Sequence, residues 1–134
     1  MKKKKNKCLN CGNPCVNKYC SVHCQQIYQQ LEWEKKWFAG EESGDCSAWG
    51  EPKDRIRTYL FRINNNQCSR CGWGEVNPYT NTIPLEVEHI DGDYHNNRPE
   101  NLTLLCPNCH SLTATYRGAN KGHGRGKTWI PKIE

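Results

Sequence analysis

Six of the ten cysteines in this 134-residue chain form three pairs with the spacing Cys-x2-Cys. The pairs are Cys8/Cys11, Cys68/Cys71 and Cys106/Cys109. This spacing lets two thiolates bind one tetrahedral zinc ion, and it is too tight for a comfortable disulfide within a pair. Only 35% of the residues are hydrophobic, and so short a chain needs staples because it buries little apolar surface. The pattern therefore favours zinc over a disulfide framework.

The first residues of the chain favour a reducing environment. Met1 is followed by four lysines, without the apolar segment of a secretory signal peptide. No stretch approaches the roughly 18 apolar residues that a membrane-spanning helix requires. We therefore expect an intracellular protein without a membrane segment, in which the thiols remain available for zinc. A thioredoxin-like redox role is less favoured, since no βαβ pattern surrounds any of the pairs.

Four N-terminal cysteines have the spacing of a small zinc finger: Cys8, Cys11, Cys20 and Cys24. Gly12 and the residues after it favour a turn behind the first pair. Cys20 and Cys24 are four residues apart at the start of a predicted helix, so they lie on one face and can share a metal ion. Cys15 or His23 can replace one of the four ligands. Cys15 and Cys46 otherwise have no assigned role.

Two helices are predicted between this finger and the second half of the chain. The first covers residues 25–38, with Ile27, Leu31 and Trp37 or Phe38 near helical spacing. A polar, glycine-rich segment follows it and indicates a linker. The second helix covers residues 52–63 and is amphipathic.

A second set of four cysteines surrounds a predicted ββα unit. Strands are expected over residues 83–90 and 102–105, with a loop rich in Asp, Asn and Gly between them and a helix starting near Cys106. Four thiolates can close a zinc tetrahedron with no open position, which is a structural site. Its ligands would be Cys68, Cys71, Cys106 and Cys109.

These patterns predict a small, zinc-stabilised α+β protein in four parts. Residues 1–39 hold the basic tail, the finger and a helix, and residues 40–52 form the linker. Residues 53–127 form the domain that contains the ββα unit, and residues 128–134 form a C-terminal tail.

Four polar residues occur in order around the ββα unit. Glu88 and His89 end the first strand, Asn101 precedes the second strand, and His110 directly follows the last cysteine pair. Successive helical residues are rotated by about 100°. Cys109 can therefore bind the structural zinc while His110 faces the hairpin that carries Glu88 and His89. A lone histidine is more often structural, but this combination indicates a site.

The segments 88–93, 101–102 and 105–110 resemble the HNH motif of phage-type endonucleases, in a match from about Arg55 to Gly126. The resemblance implies a ββα-metal, treble-clef-like nuclease core, and the N-terminal cysteines resemble a zinc finger often fused to such nucleases. It implies metal-dependent hydrolysis of phosphodiester bonds in DNA. It also implies a phage or mobile-element origin, as for homing endonucleases, and a location in the host cytoplasm.

The resemblance assigns a role to each of the four residues. His89 would be the general base that takes a proton from the attacking water, since a neutral imidazole can do so near pH 7. Asn101 would brace the loop and orient His89. Glu88 and His110 would hold Mg²⁺ or another divalent cation, although such families usually have aspartate or histidine where this chain has Glu88. Asp91 and Asp93 are possible substitutes as ligands but are expected to shape the loop.

Basic residues collect at both ends of the chain, which carries a formal net charge of +5. DNA is the expected partner, because lysine and arginine neutralise phosphates, and a solvated basic tail is the alternative. The predicted DNA-binding residues are Arg117, Lys121, Arg125 and Lys127. His95 and His123 fall outside the motif and are expected at the surface or facing DNA.

Two other functional classes compete with the nuclease. One is a non-cleaving, zinc-dependent DNA-binding module with an HNH-like fold, although a pure binder does not need all four polar residues together. The other is an RNA-binding or adaptor protein, which the N-terminal finger alone would permit. Phage packaging proteins are possible further partners. The pattern does not predict the oligomeric state.

Overall fold

A computed structural model describes residues 5–45 and 54–116 and divides the chain into two compact units, residues 1–43 and 44–134. Each unit contains one two-stranded antiparallel sheet and at least one helix. The predicted fold class, a small mixed α+β protein with two four-cysteine clusters, is confirmed. The predicted domain limits remain a prediction, and the linker proposed for residues 40–52 runs beyond the described residues after residue 45.

The first unit pairs strand β1 (Asn6–Lys7) with strand β2 (Pro14–Cys15) and continues into helix α1 (Val22–Phe38). The helix begins about one turn earlier than predicted. The reason is Ser21, whose hydroxyl accepts the Cys24 N–H at 3.1 Å and so satisfies one of the free donors at the helix start.

Helix α1 buries only part of the residue set that showed helical spacing in the sequence. Trp37 is buried, whereas Leu31 and Phe38 are 42% and 55% exposed. The buried residues are Cys24, Gln30, Trp33, Glu34 and Trp37. Both sets fit a helical period, and the two indoles, stacked with centroids 5.3 Å apart, offer the larger apolar surface.

The core of the second unit lies between helix α2 (Asp54–Ile63) and a hairpin. Ile56 and Leu60 are one helical turn apart on α2 and are fully buried, as are Leu85 and Leu104. The helix ends where predicted, at three asparagines of which Asn65 and Asn66 adopt positive φ angles. Asparagine tolerates this left-handed conformation better than most residues.

The hairpin pairs β3 (Glu86–His89) with β4 (Leu102–Leu105), in a register that places Glu86 opposite Leu105 and His89 opposite Leu102. β4 has the predicted bounds, whereas β3 is shorter than the predicted 83–90. Pro84 lacks an N–H group and cannot join the ladder of hydrogen bonds, so β3 begins after it. A 3-10 turn (Pro99–Asn101) leads into β4, and the short helix α3 (Pro107–Ser111) follows it.

The alternation of side chains along β3 separates two groups of polar residues. Glu86 and Glu88 project from one face of the strand, and His89 projects from the other. Helix α3 packs against β3 and β4. Among the described residues, no helix is long and apolar enough to cross a membrane.

Candidate functional site

Each predicted cysteine quartet comes together as one cluster of thiols. Within each cluster, the four sulfur atoms lie within 4.8 Å of one another. None of the nine described cysteines forms a disulfide. Four sulfur ligands at such separations suit a tetrahedral zinc ion. The first cluster contains Cys8, Cys11, Cys20 and Cys24, and the second contains Cys68, Cys71, Cys106 and Cys109.

The first pair of each cluster is held by the same turn. The N–H of Gly12 donates to the carbonyl of Cys8 at 2.9 Å, and the N–H of Gly72 donates to the carbonyl of Cys68 at 2.9 Å. The φ angles of the two glycines are +76° and +79°, a region that disfavours other residues. The sequence Cys-x2-Cys-Gly therefore specifies both turns. The second pair of each cluster lies at the start of a helix, α1 or α3.

The electrostatics of the second cluster favour a cation. Burial raises the pKa of the Cys68 thiol, but hydrogen bonds from the backbone N–H groups of Cys106, Cys71 and Arg70 outweigh it, and the pKa falls to about 6. Burial and the neighbouring thiols raise the pKa of Cys109 to about 12. Four thiolates cannot all be charged side by side without a positive ion between them. The donor set therefore fits zinc.

The first cluster behaves in the same way. A hydrogen bond from the backbone N–H of Cys11 lowers the pKa of Cys8 to about 6 despite burial. The hydrogen bond to Cys24 raises the pKa of Cys20 to about 12. Cys15 stays outside the cluster and donates from its thiol to the carbonyl of Asn17 at 2.9 Å. His23 is not among the clustered ligands either, and Cys46 lies outside the described residues.

A third polar site forms where β3 meets α3. The Nδ1 atom of His110 lies 2.6 Å from the Oε2 atom of Glu88. Glu88 is only 7% exposed. The His110 Nδ1 atom is also buried, yet it is not aligned in a hydrogen bond with any described residue. A carboxylate oxygen and an imidazole nitrogen that converge without such a bond are suited to bind a common divalent cation.

Further side chains surround this pair. The hydroxyl of Thr115 donates to the Oε1 atom of Glu88 at 2.7 Å and fixes the carboxylate. Glu86 lies on the same strand face, with its Oε2 atom 3.6 Å from the Nε2 atom of His110. The ring of Tyr116 meets the His110 ring edge-on at 5.4 Å. Thr115 is not predicted from the sequence, since nothing in its local pattern distinguishes it from Thr113.

His89 contacts the β3–β4 loop instead of α3. Its Nε2 atom lies 2.8 Å from the Oδ1 atom of Asn97, a residue that is 1% exposed. The amide nitrogen of Asn97 in turn donates to the Oδ1 atom of Asp45 at 2.6 Å. The motif predicts that Asn101 orients His89, whereas the side chain that touches the His89 ring is Asn97. Adjacent asparagines at 96 and 97 gave no signal as to which one is buried.

Asn101 instead forms hydrogen bonds within the β3–β4 loop. Its side-chain oxygen accepts the backbone N–H of Asp91 at 3.1 Å, and its amide group donates to Asp91 Oδ1 and to the carbonyl of Asn96. Its backbone carbonyl accepts the N–H of Ile90, directly after His89. Hydrogen bonds from Asn96, the Asp93 backbone and Asn101 lower the pKa of Asp91. Asp91 and Asp93 both accept hydrogen bonds within the loop.

The other candidate residues are only partly described. The rings of His95 and Tyr94 are in contact, with centroids 4.1 Å apart. His123 and the four basic residues Arg117, Lys121, Arg125 and Lys127 lie outside the described residues.

Comparison with known proteins locates a family match on this part of the chain. Residues 68–113 match the HNH endonuclease family. The chain is also similar to the H-N-H endonuclease F-TflIV of Escherichia phage T5, with 46% identity over 69 residues. That match covers 49% of this chain and 28% of the phage protein, so the chain spans little more than a quarter of the length of this relative. No solved structure matches the chain.

Proposed function

We propose that the chain, whose residues 68–113 match the HNH endonuclease family, is a divalent-metal-dependent endonuclease that hydrolyses phosphodiester bonds in DNA. The observation that carries the proposal is the convergence of Glu88 and His110 on one point, with the buried Nδ1 atom of His110 outside any hydrogen bond of the described residues. His89 occupies the strand position directly after Glu88.

The catalytic cation would be held by Glu88 and His110. The carboxylate is oriented by Thr115, and Glu86 adds a second negative charge beside the imidazole. When bound, the cation supplies positive charge that stabilises the scissile phosphate and the leaving 3′ oxygen. An oxygen ligand and a nitrogen ligand admit Mg²⁺ and also Mn²⁺ or Ni²⁺. We propose Zn²⁺ for the two thiol clusters.

His89 would act as the general base. A hydrogen bond from Nε2–H to Asn97 leaves the Nδ1 lone pair free to accept a proton from the attacking water. Asn101 would keep the strand end in place, because its carbonyl and side chain hold the backbone on both sides of Ile90. In this scheme His89 accepts the proton of the attacking water, and Glu88 and His110 hold the cation in place.

DNA binding would draw on the basic ends of the chain. We propose that Arg117, Lys121, Arg125 and Lys127 contact phosphates, which would hold the strand without reading its sequence. We also propose residues 53–127 as the nuclease domain, residues 1–39 as the finger-containing domain and residues 40–52 as the linker, of which Gly44 and Asp45 already lie in the second compact unit. A phage or mobile-element enzyme of this kind would act in the cytoplasm of the host.

A plasmid-nicking assay tests the proposal. The zinc-loaded full chain is incubated with supercoiled plasmid and Mg²⁺, Mn²⁺ or Ni²⁺, with EDTA as the metal-free control. We expect conversion to nicked or linear DNA only when a divalent cation is present. A gel shift of DNA without cleavage under any of these metals would contradict the proposal and favour a non-cleaving DNA-binding module.

A further inference from the structure

We propose that Asp45 and Asn97 are positioning residues that fix the orientation and the tautomer of His89. The inference rests on the proposed function, because it explains how the base of that reaction is held. Neither residue belongs to the set expected from the motif, and Asp45 lies outside the matched residues 68–113.

Three side chains form a continuous chain of hydrogen bonds. The Nε2 atom of His89 lies 2.8 Å from Oδ1 of Asn97, and Nδ2 of Asn97 lies 2.6 Å from Oδ1 of Asp45. Asn97 is among the most buried residues of the second unit. A buried amide that lost a partner would leave a desolvated donor or acceptor unsatisfied. The two contacts therefore specify each other.

The chemistry of the partners assigns the protons. An ionised carboxylate only accepts hydrogen bonds, so the NH₂ group of Asn97 must face Asp45. The amide oxygen of Asn97 must then face His89. That oxygen can only accept, so Nε2 of His89 carries the hydrogen and Nδ1 is left as the basic atom. Asp45 thus sets the tautomer of the His89 ring through Asn97.

The backbone around Asp45 is packed to hold it there. Gly44 has a φ angle of +85°, and a Cβ atom at this position would lie 2.8 Å from Cβ of Asn97 and 2.9 Å from Cδ1 of Ile56. Real Cβ atoms do not approach other atoms so closely. Glycine is therefore required for residue 45 to reach Asn97, and this segment precedes the matched family region by more than twenty residues.

An exchange of the two polar side chains separates a positioning role from simple packing. Asn97→Asp keeps the volume but sets two carboxylates side by side, and their repulsion would displace the oxygen that faces His89. The double variant Asp45→Asn/Asn97→Asp restores one donor and one acceptor in reversed order, with an oxygen still facing His89. If Asn97 only fills space, folded Asn97→Asp nicks at the wild-type rate and the exchange changes stability alone.

The primary readout is single-turnover nicking with saturating Mn²⁺, measured with urea unfolding and zinc content for each variant. We expect Asn97→Asp to lower the rate by about 100-fold, which is typical of a misplaced catalytic group, with little change in the DNA concentration for half-saturation. The double variant should recover to within about 5-fold of the wild type. A double variant that refolds fully and stays as slow as Asn97→Asp would overturn the proposal.

The tautomer gives a second readout that needs no cleavage. We expect ¹⁵N NMR of the zinc-loaded chain at pH 8, where histidine is normally neutral, to show His89 protonated at Nε2. Gly44→Ala, whose methyl group would overlap Asn97 and so part it from Asp45, should mix the two tautomers. A wild-type ring protonated at Nδ1, or a Gly44→Ala ring unchanged from the wild type, would contradict the proposal. A wild-type chain that shows the Nε2–H tautomer but never nicks DNA would instead contradict the proposed function.

Discussion

Glu88 is the residue at which this site departs most from the expected pattern. Two contacts nevertheless fix the position of its carboxylate. Thr115 donates to its Oε1 atom, while Oε2 faces His110. Partners that orient a metal ligand commonly contribute 10- to 100-fold to affinity. The longer glutamate side chain is thereby held in a single position despite its additional rotatable bond.

We therefore expect Thr115→Val to weaken Mn²⁺ binding at the Glu88–His110 site by roughly 10-fold, because valine keeps the shape and removes the donated hydrogen bond. Electron paramagnetic resonance of free Mn²⁺ measures this affinity directly. Thr58→Val on α2 is the matched control, since its hydroxyl contacts only the backbone carbonyl of Asp54 among the described residues. Equal affinities in the two variants would show that Thr115 does not orient the carboxylate.

At the scale of elements, the β3–β4 loop carries its own internal brace. Asn101 is buried and uses both ends of its amide on Asp91 and Asn96. We expect Asn101→Ala to lower the free energy of unfolding by about 1–3 kcal/mol, because the loop loses the three hydrogen bonds that the buried amide makes. Urea unfolding measures the change. Asn108→Ala, at an exposed position on α3, should lower the free energy of unfolding much less. An equal loss in the two variants would show that the Asn101 hydrogen bonds do not stabilise the loop.

The elements also show which features could be predicted. The cysteine spacing predicted both clusters, and the sequence pattern also predicted β4 and the ββα order. The buried face of α1 could not be chosen, since two sets of residues fit the same period. The contacts of His89 were equally hidden, because Asp45 is 52 residues from Asn97 in the sequence and because several asparagines and aspartates occupy the loop. Which of these amides becomes buried depends on packing around Ile56 and Gly44.

For the whole molecule, we expect two zinc ions per chain, with each ion supporting its own unit. Cys68→Ser should release one zinc and unfold residues 44–134, because zinc of this kind supplies much of the folding free energy of a small unit. Cys11→Ser should release the other zinc and destabilise the first unit. Zinc analysis and two-dimensional NMR distinguish the two cases.

Cys15→Ser is the matched control for this prediction. Its thiol contacts a backbone carbonyl and no other cysteine sulfur by a hydrogen bond among the described residues, so both zinc ions should remain. A zinc-replete, folded Cys68→Ser protein, or loss of zinc from Cys15→Ser, would show that the ligand sets are wrong.

The most direct test of the central claim is the nicking rate of supercoiled plasmid as a function of Mn²⁺ concentration, for the wild type and for His89→Ala. We expect the wild type to reach a metal-dependent maximum. His89→Ala should keep its zinc and the same half-saturating Mn²⁺ concentration, with a maximum lowered by at least about 100-fold, the usual contribution of a general base. Metal-independent behaviour of the wild type, or a His89→Ala variant that nicks at the wild-type rate, would contradict the claim.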